Sequence, residues 1–164
     1  MKNIFAASVC IMAVIIMSAA AFANDKALLE KNNPISRHFN KIFKSFLSQM
    51  EMNTYAAQEK KAWKKEFINI CDELRSKYSQ QEDRDNITKL EDSVHAYANA
   101  AGKIEMPLWA NDMDAEPSKR LYGSGMSMSV SGRETQIYKQ ASIDLLMRYD
   151  MDGYKWIFNP SEAE

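Results

Sequence analysis

Residues 55–78 read YAAQEKKAWKKEFINICDELRSKY, and this stretch decides the fold class. Ala56, Trp63, Phe67, Ile70, Cys71, Leu74 and Tyr78 recur at helical intervals. An α-helix turns once in about 3.6 residues, so this spacing lines them along one face. Lys60, Lys61, Lys64, Lys65, Glu66 and Asp72 fall on the other. The pattern predicts a helix from Tyr55 to Tyr78, with Asn53-Thr54 as the break and cap before it. The run KKAWKK looks like a grip for phosphate or RNA. Trp63 belongs to the apolar stripe, however, while the lysines splay outward, and a solvated face is the favoured reading.

Upstream, Pro34 blocks an earlier helix start, and Ser36 offers an N-cap for a helix from Ser36 to Met52. Phe39, Ile42, Phe43, Phe46, Leu47 and Met50 recur on one side of it, opposite Lys41, Lys44 and Ser48. Burying each large apolar group stabilises by about 1.5–3 kcal/mol before entropy, so all six are expected in the core. Downstream, residues 80–86 (QQEDRDN) form a polar connection. A third helix is predicted from Asp85 to Ala101. Its face is Ile87, Leu90, Val94, Tyr97, Ala98 and Ala101, with Gly102 as its stop and His95 off the stripe, exposed.

Periodicity fails from Lys103 to Arg133, a segment holding Pro107 and Pro117. Four of the five glycines lie between Gly102 and Gly132. A structureless connection of this length is either functional or disordered. Ser127 to Val130 alternates polar and apolar, as a short strand would. A last helix is predicted from Glu134 to Tyr149, burying Ile137 or Tyr138, Ala141, Leu145 and Tyr149. Asp152-Gly153 breaks it, and the aromatic tail Tyr154 to Phe158 is expected to fold back over the helices. The fold class is all-α: an antiparallel bundle of three to four amphipathic helices with a long irregular insertion, residues 103–133, before the last helix.

The chain has 164 residues. Residues 1–23 read as a signal peptide: Lys2, the apolar run Ile4 to Met17, then Ala21 and Ala23 around Phe22 for cleavage after Ala23. Residues 24–164 then form one domain, exported to the periplasm or beyond, with no stable membrane insertion after cleavage. Without Lys2 the balance is 20 Lys and Arg against 22 Asp and Glu, a net charge of −2. A nucleic-acid binder carries a strong basic excess, so no nucleic acid is expected as partner.

Cys10 falls in the leader, which leaves Cys71 alone and without an intramolecular disulfide. On its apolar stripe it reads as packing. No HExxH, CxxC, GxSxG or P-loop occurs, and the two histidines, His38 and His95, stand apart. No catalytic residue, cofactor or enzyme activity is assigned. Asp112, Asp114 and Glu116 lack the ligand frame that calcium needs. Met106, Met113, Met126 and Met128 offer thioethers to Cu(I), but no His lies near them. A gap-filling role is favoured, and no metal site is assigned.

Two segments carry a family resemblance. Phe39-Asn40-Lys41-Ile42-Phe43 with Phe46-Leu47 resembles the opening of the LprI-like lysozyme inhibitor domain family. Gln58 to Cys71 is similar to that family's central signature of Gln, Trp, Arg and Cys, with Trp63 and Cys71 at the family's eight-residue offset. The family's Arg is Phe67 here, and its further cysteines are absent. The resemblance implies a small exported helical protein, some of whose relatives bind lysozyme. By analogy with the Ser-Gly loops of unrelated lysozyme inhibitors, the stretch from Gly123 to Arg133 is the candidate inhibitory loop. Ser124, Ser131 and Arg133 are its candidate partner-binding residues, since Arg pairs a carboxylate bidentately. The alternatives are a helical interaction module with a partner other than lysozyme and, third, a Met-based copper binder.

Overall fold

The structure, a computed structural model, describes residues 25–27, 29–149, 151 and 153–162. The expected leader, residues 1–23, lies outside them. The described residues are mostly helical and contain no strand. Helical residues at 25–27 and 29–32 come first. Four longer helices follow: α1 (Pro34–Ile42), α2 (Gln49–Lys77), α3 (Gln81–Glu105) and α4 (Met126–Arg148). Short 3-10 turns occupy Met106–Trp109, Pro117–Lys119 and Pro160–Glu162. The all-α expectation holds, and the boundaries differ in instructive ways.

Asn33, not Ser36, caps α1. Its Oδ1 accepts from Ser36 N at 2.7 Å, and Pro34 fills the first helical position, where no amide is needed. Asn33 Nδ2 also donates to the carbonyls of Leu29 and Glu30, so one buried amide satisfies the end of one helix and the start of the next. The single helix expected from Ser36 to Met52 is two. Ser48 and Glu51 form a capping box, with Ser48 N donating to Glu51 Oε2 at 2.8 Å and Glu51 N to Ser48 Oγ at 3.3 Å. That local start signal ends the continuous stripe. The chain turns at residues 43–48, and Asn53-Thr54 lies inside α2 rather than before it. Phe39 stays in the core, while Phe46 is 109 % exposed and Met50 76 %.

On α2, Trp63, Phe67, Ile70, Cys71 and Leu74 are buried as expected. Burial pushes the Cys71 thiol up to about 12, with Glu91 adding to the effect. Glu66 corrects the sequence reading: it is buried, not on the solvated face. Helix α3 is longer than 85–101 at both ends. Glu82 and Asp83 sit in its first turn, where carboxylates complement the helix dipole. Gly102 lies within α3 and is no stop. A Cβ there would come 2.8 Å from Glu134 Oε1, so glycine lets α4 approach. Residues 127–130 are helix rather than strand, because α4 begins at Met126.

Contacts give the helix directions. Arg75 meets Glu91 and Phe67 meets His95, so α2 and α3 run antiparallel. Lys60 meets Glu134 and Phe67 meets Tyr138, so α2 and α4 run parallel, and they share the largest helix interface. Helices α2, α3 and α4 thus alternate in direction. The tail does fold back: Trp156 packs edge-on to Trp63 at 5.9 Å between centroids, and Phe158 meets Phe39 at 6.0 Å. The Tyr154 hydroxyl donates to Glu66 Oε1, as does Ile157 N at 3.1 Å.

Candidate functional site

The start of α2, the end of α3 and the start of α4 meet at one end of the bundle. Asn53 Nδ2 donates to the Ser124 carbonyl at 3.0 Å, and Ser129 Oγ donates to Glu105 Oε2 at 3.1 Å. Lys60 pairs with Glu134 at 2.8 Å. The segment between α3 and α4 is tied to itself. Asn111 N donates to the Leu121 carbonyl and Gly123 N to the Trp109 carbonyl, at 3.0 and 2.9 Å. The Arg120 guanidinium donates to the carbonyls of Ala115 and Met113. Gly123 and Gly125 carry the Trp109 ring, and a Cβ on Gly125 would sit 2.7 Å from it. Close ring contact therefore requires a glycine at this position.

Outward from this scaffold stand apolar groups with little cover. Ile104 is 72 % exposed, Leu108 66 % and Leu121 72 %, at the same end as Phe46 and Met50. Trp109 and Met113 are exposed as well. Single exposed apolar residues are ordinary, whereas several at one end of a bundle are less common. Sequence periodicity placed Phe46 and Met50 inside. The signal that would have placed them outside is the Ser-x-x-Glu box at 48–51, which starts a new helix just after Phe46.

The three residues expected to form an inhibitory loop do not share one. Ser124 is exposed in the turn before α4. Ser131 lies in α4 and is buried in its packed face. Arg133 is exposed on that helix. Met126 N donates to the Gly123 carbonyl and Ser129 N to the Gly125 carbonyl, so the helical ladder takes over at once and leaves no extended loop to Arg133.

Other polar residues have structural partners. His95 is half-buried rather than exposed: its Nδ1 is 3.0 Å from the Tyr138 hydroxyl, and its ring stands edge-on to Phe67. Asp112 Oδ1 accepts from Asp114 N, and Glu116 pairs with Lys119. No group of three or more His, Cys, Asp or Glu gathers as a metal site among the described residues. Met113 is exposed, while Met106, Met126 and Met128 are half-buried. Among the described residues, no helix is long and apolar enough to cross a membrane.

Comparison with protein-family models, with curated proteins and with solved structures finds no match. The site is therefore read from its own geometry. What it offers is an apolar end held in a fixed shape by hydrogen bonds, beside a basic stretch. From Lys31 to Met50 the chain has Lys31, Arg37, Lys41 and Lys44 and no acidic residue.

Proposed function

We propose that the chain is an exported helical protein-binding module that grips its partner through the apolar end of the bundle. The observation that carries this reading is the exposure of Phe46, Met50, Ile104, Leu108 and Leu121 at that end. Water contact at so many large apolar groups is unfavourable by roughly 25 cal/mol per Å² of apolar area, which a partner would recover. The test is partner binding by the Phe46→Ser and Leu108→Ser proteins. Central apolar anchors contribute about 2 kcal/mol each when truncated, so about a 30-fold loss of affinity is expected from either. Unchanged affinity in both would remove the reading.

Lysozyme is the partner that the resemblance around Trp63 and Cys71 suggests, and inhibition of it is the specific form of the proposal. The exposed Ser124 and Arg133 are the polar groups available to a catalytic carboxylate. Cell-wall clearing by lysozyme, followed by turbidity, should slow when the purified protein is present at about tenfold excess. Clearing at an unaltered rate, together with recovery of a different envelope protein in stoichiometric complex, would replace lysozyme with that partner.

A further inference from the structure

Helix α3 turns one row of side chains to the core and leaves a second in water. Ala98, Ala101 and Gly102 belong to the buried row. Leu90, Tyr97 and Ile104 stand on the other, 39 %, 57 % and 72 % exposed. They recur every seven residues, which keeps them on one side of an α-helix. Asn86, Ser93 and Ala100 fall between them, all exposed and none of them large. The exposed row thus has the spacing of a helix-pairing seam, with large groups as knobs and smaller ones as holes.

A groove of about 180 Å³ opens at the start of the same helix. Leu74 and Leu145, both buried, lie at its base, and Ile87, Leu90 and Tyr149 line it. It is smaller than the roughly 300–1,000 Å³ of clefts that take whole ligands, so it suits a single side chain. Asp83 is the one charged residue lining it and has no ion-pair partner among the described residues. Arg84 beside it donates to Gln81 instead. Matching chemistry stands at the other end of α3, about 30 Å along the axis at about 1.5 Å per residue. There Ile104 protrudes, and the neighbouring Lys103 is exposed with no ion-pair partner among the described residues. The nearby acid, Glu105, is already bonded to Ser129.

These features share one midpoint, the bond between Ser93 and Val94. Asp83 and Ile104 are equally far from it along the chain, and so are Leu90 and Tyr97. We propose that a second copy of this chain covers the face, with α3 lying antiparallel on α3 about that point. Ile104 of each copy enters the groove of the other, Lys103 meets Asp83, and Leu90 packs on Tyr97. A two-fold contact makes each of these pairings twice and closes on itself. A parallel copy would set Asp83 on Asp83 and Lys103 on Lys103. An unrelated helix would have to carry the same spacing independently, whereas this chain supplies both halves. The pairing draws only Ile104 from the apolar end, so it goes beyond the protein-binding reading and the two fail separately.

The test is sedimentation equilibrium of the purified protein across the micromolar range, where a monomer–dimer equilibrium is expected. Ile104→Asp should weaken it at least about 30-fold, as loss of an anchor in a pocket does, and so should Tyr97→Glu. Asp83→Lys and Lys103→Glu should each weaken it about tenfold, because each reversal acts twice in a two-fold contact. Asp83→Lys combined with Lys103→Glu should recover the parent's affinity. Ser93→Cys, beside the two-fold axis, should link chain to chain on mild oxidation that leaves the parent unlinked. All the altered side chains are exposed, so circular dichroism should be unchanged; Tyr97→Glu serves in place of Ile104→Asp should the latter unfold. A parent that stays monomeric, a dimer indifferent to Ile104→Asp and Tyr97→Glu, or a combined charge reversal no better than the single ones would overturn the proposal. So would a dimer lost in Phe46→Ser, since the contact would then lie at the apolar end. If the chain is monomeric while Phe46→Ser and Leu108→Ser still weaken a partner, the pairing falls and the protein-binding reading stands.

Discussion

Trp63 and Phe46 occupy equivalent places in the sequence pattern and opposite places in the molecule. Trp63 is 0 % exposed and touches Trp156 from the tail, while Phe46 protrudes from the turn between α1 and α2. Trp63→Ala should cost about 3–5 kcal/mol in urea unfolding. Phe46→Ser should change stability by less than about 0.5 kcal/mol. Similar losses from both would show that the turn at residues 43–48 is misplaced. Glu66 has the reverse history, a charged side chain among lysines that proves to be buried. Burial raises its carboxyl above the ordinary value of 4.5, opposed by the Tyr154 hydroxyl, the amides of Ile157 and Phe158, and Lys65. The folded state thus holds this proton more tightly than the unfolded chain does. Its contribution to stability is full below the ordinary value and is lost as pH rises through the raised folded value. Glu66→Gln should flatten that decline, seen as a smaller fall of the urea midpoint between acid and neutral pH. An identical slope in the variant would assign the effect elsewhere. No helix period could have flagged Glu66, because what covers it arrives from residues 154–158, some ninety positions along the chain.

At the scale of elements, helix existence was legible and helix boundaries were set by short signals. The stripe from Trp63 to Leu74 specifies α2 because its period is consistent over several turns. Its start depends on the Ser48 and Glu51 box, which divides what apolar spacing alone joins into one rod. Ser48→Ala removes the acceptor for Glu51 N and the hydroxyl that meets Glu51 Oε2. A loss of about 0.5–2 kcal/mol is expected, read as a lower thermal midpoint, together with a small rise of the Glu51 carboxyl, which those Ser48 donors now hold low. A thermal midpoint equal to that of the parent would mean the box does not set the boundary. The irregular segment shows the opposite failure. Gly102 looked like a helix stop and Gly125 like part of a loop, yet each makes room for a side chain, Glu134 in one case and Trp109 in the other. Spacing along the chain cannot distinguish a glycine needed for a turn from one needed for close approach.

At the scale of the molecule, α2 and α4 make a parallel pair, α3 runs against both, and the tail closes the side on which Trp63 and Glu66 lie. Tyr154, Trp156 and Phe158 are half-buried against the core. Removing residues 154–162 should cost about 3 kcal/mol from lost apolar burial alone, a fall of about 10 °C in thermal midpoint for a chain of this size, and should leave Glu66 open to ionisation. A truncated protein that melts with the parent would show that the tail is not part of the core. The candidate site was only partly visible beforehand. Ser124 is exposed in its turn and Ser131 is enclosed by helix packing, and the apolar end that carries the proposed function was distributed over three separated stretches of sequence. Periodicity by itself determined that this is an all-α protein, that α2 exists, and that Trp63, Phe67, Ile70, Cys71 and Leu74 lie inside, because helical spacing and apolar character are local properties. Only the tertiary structure decided which apolar groups stay in water and that Glu66 is buried, because exposure depends on what distant segments bring to cover a face.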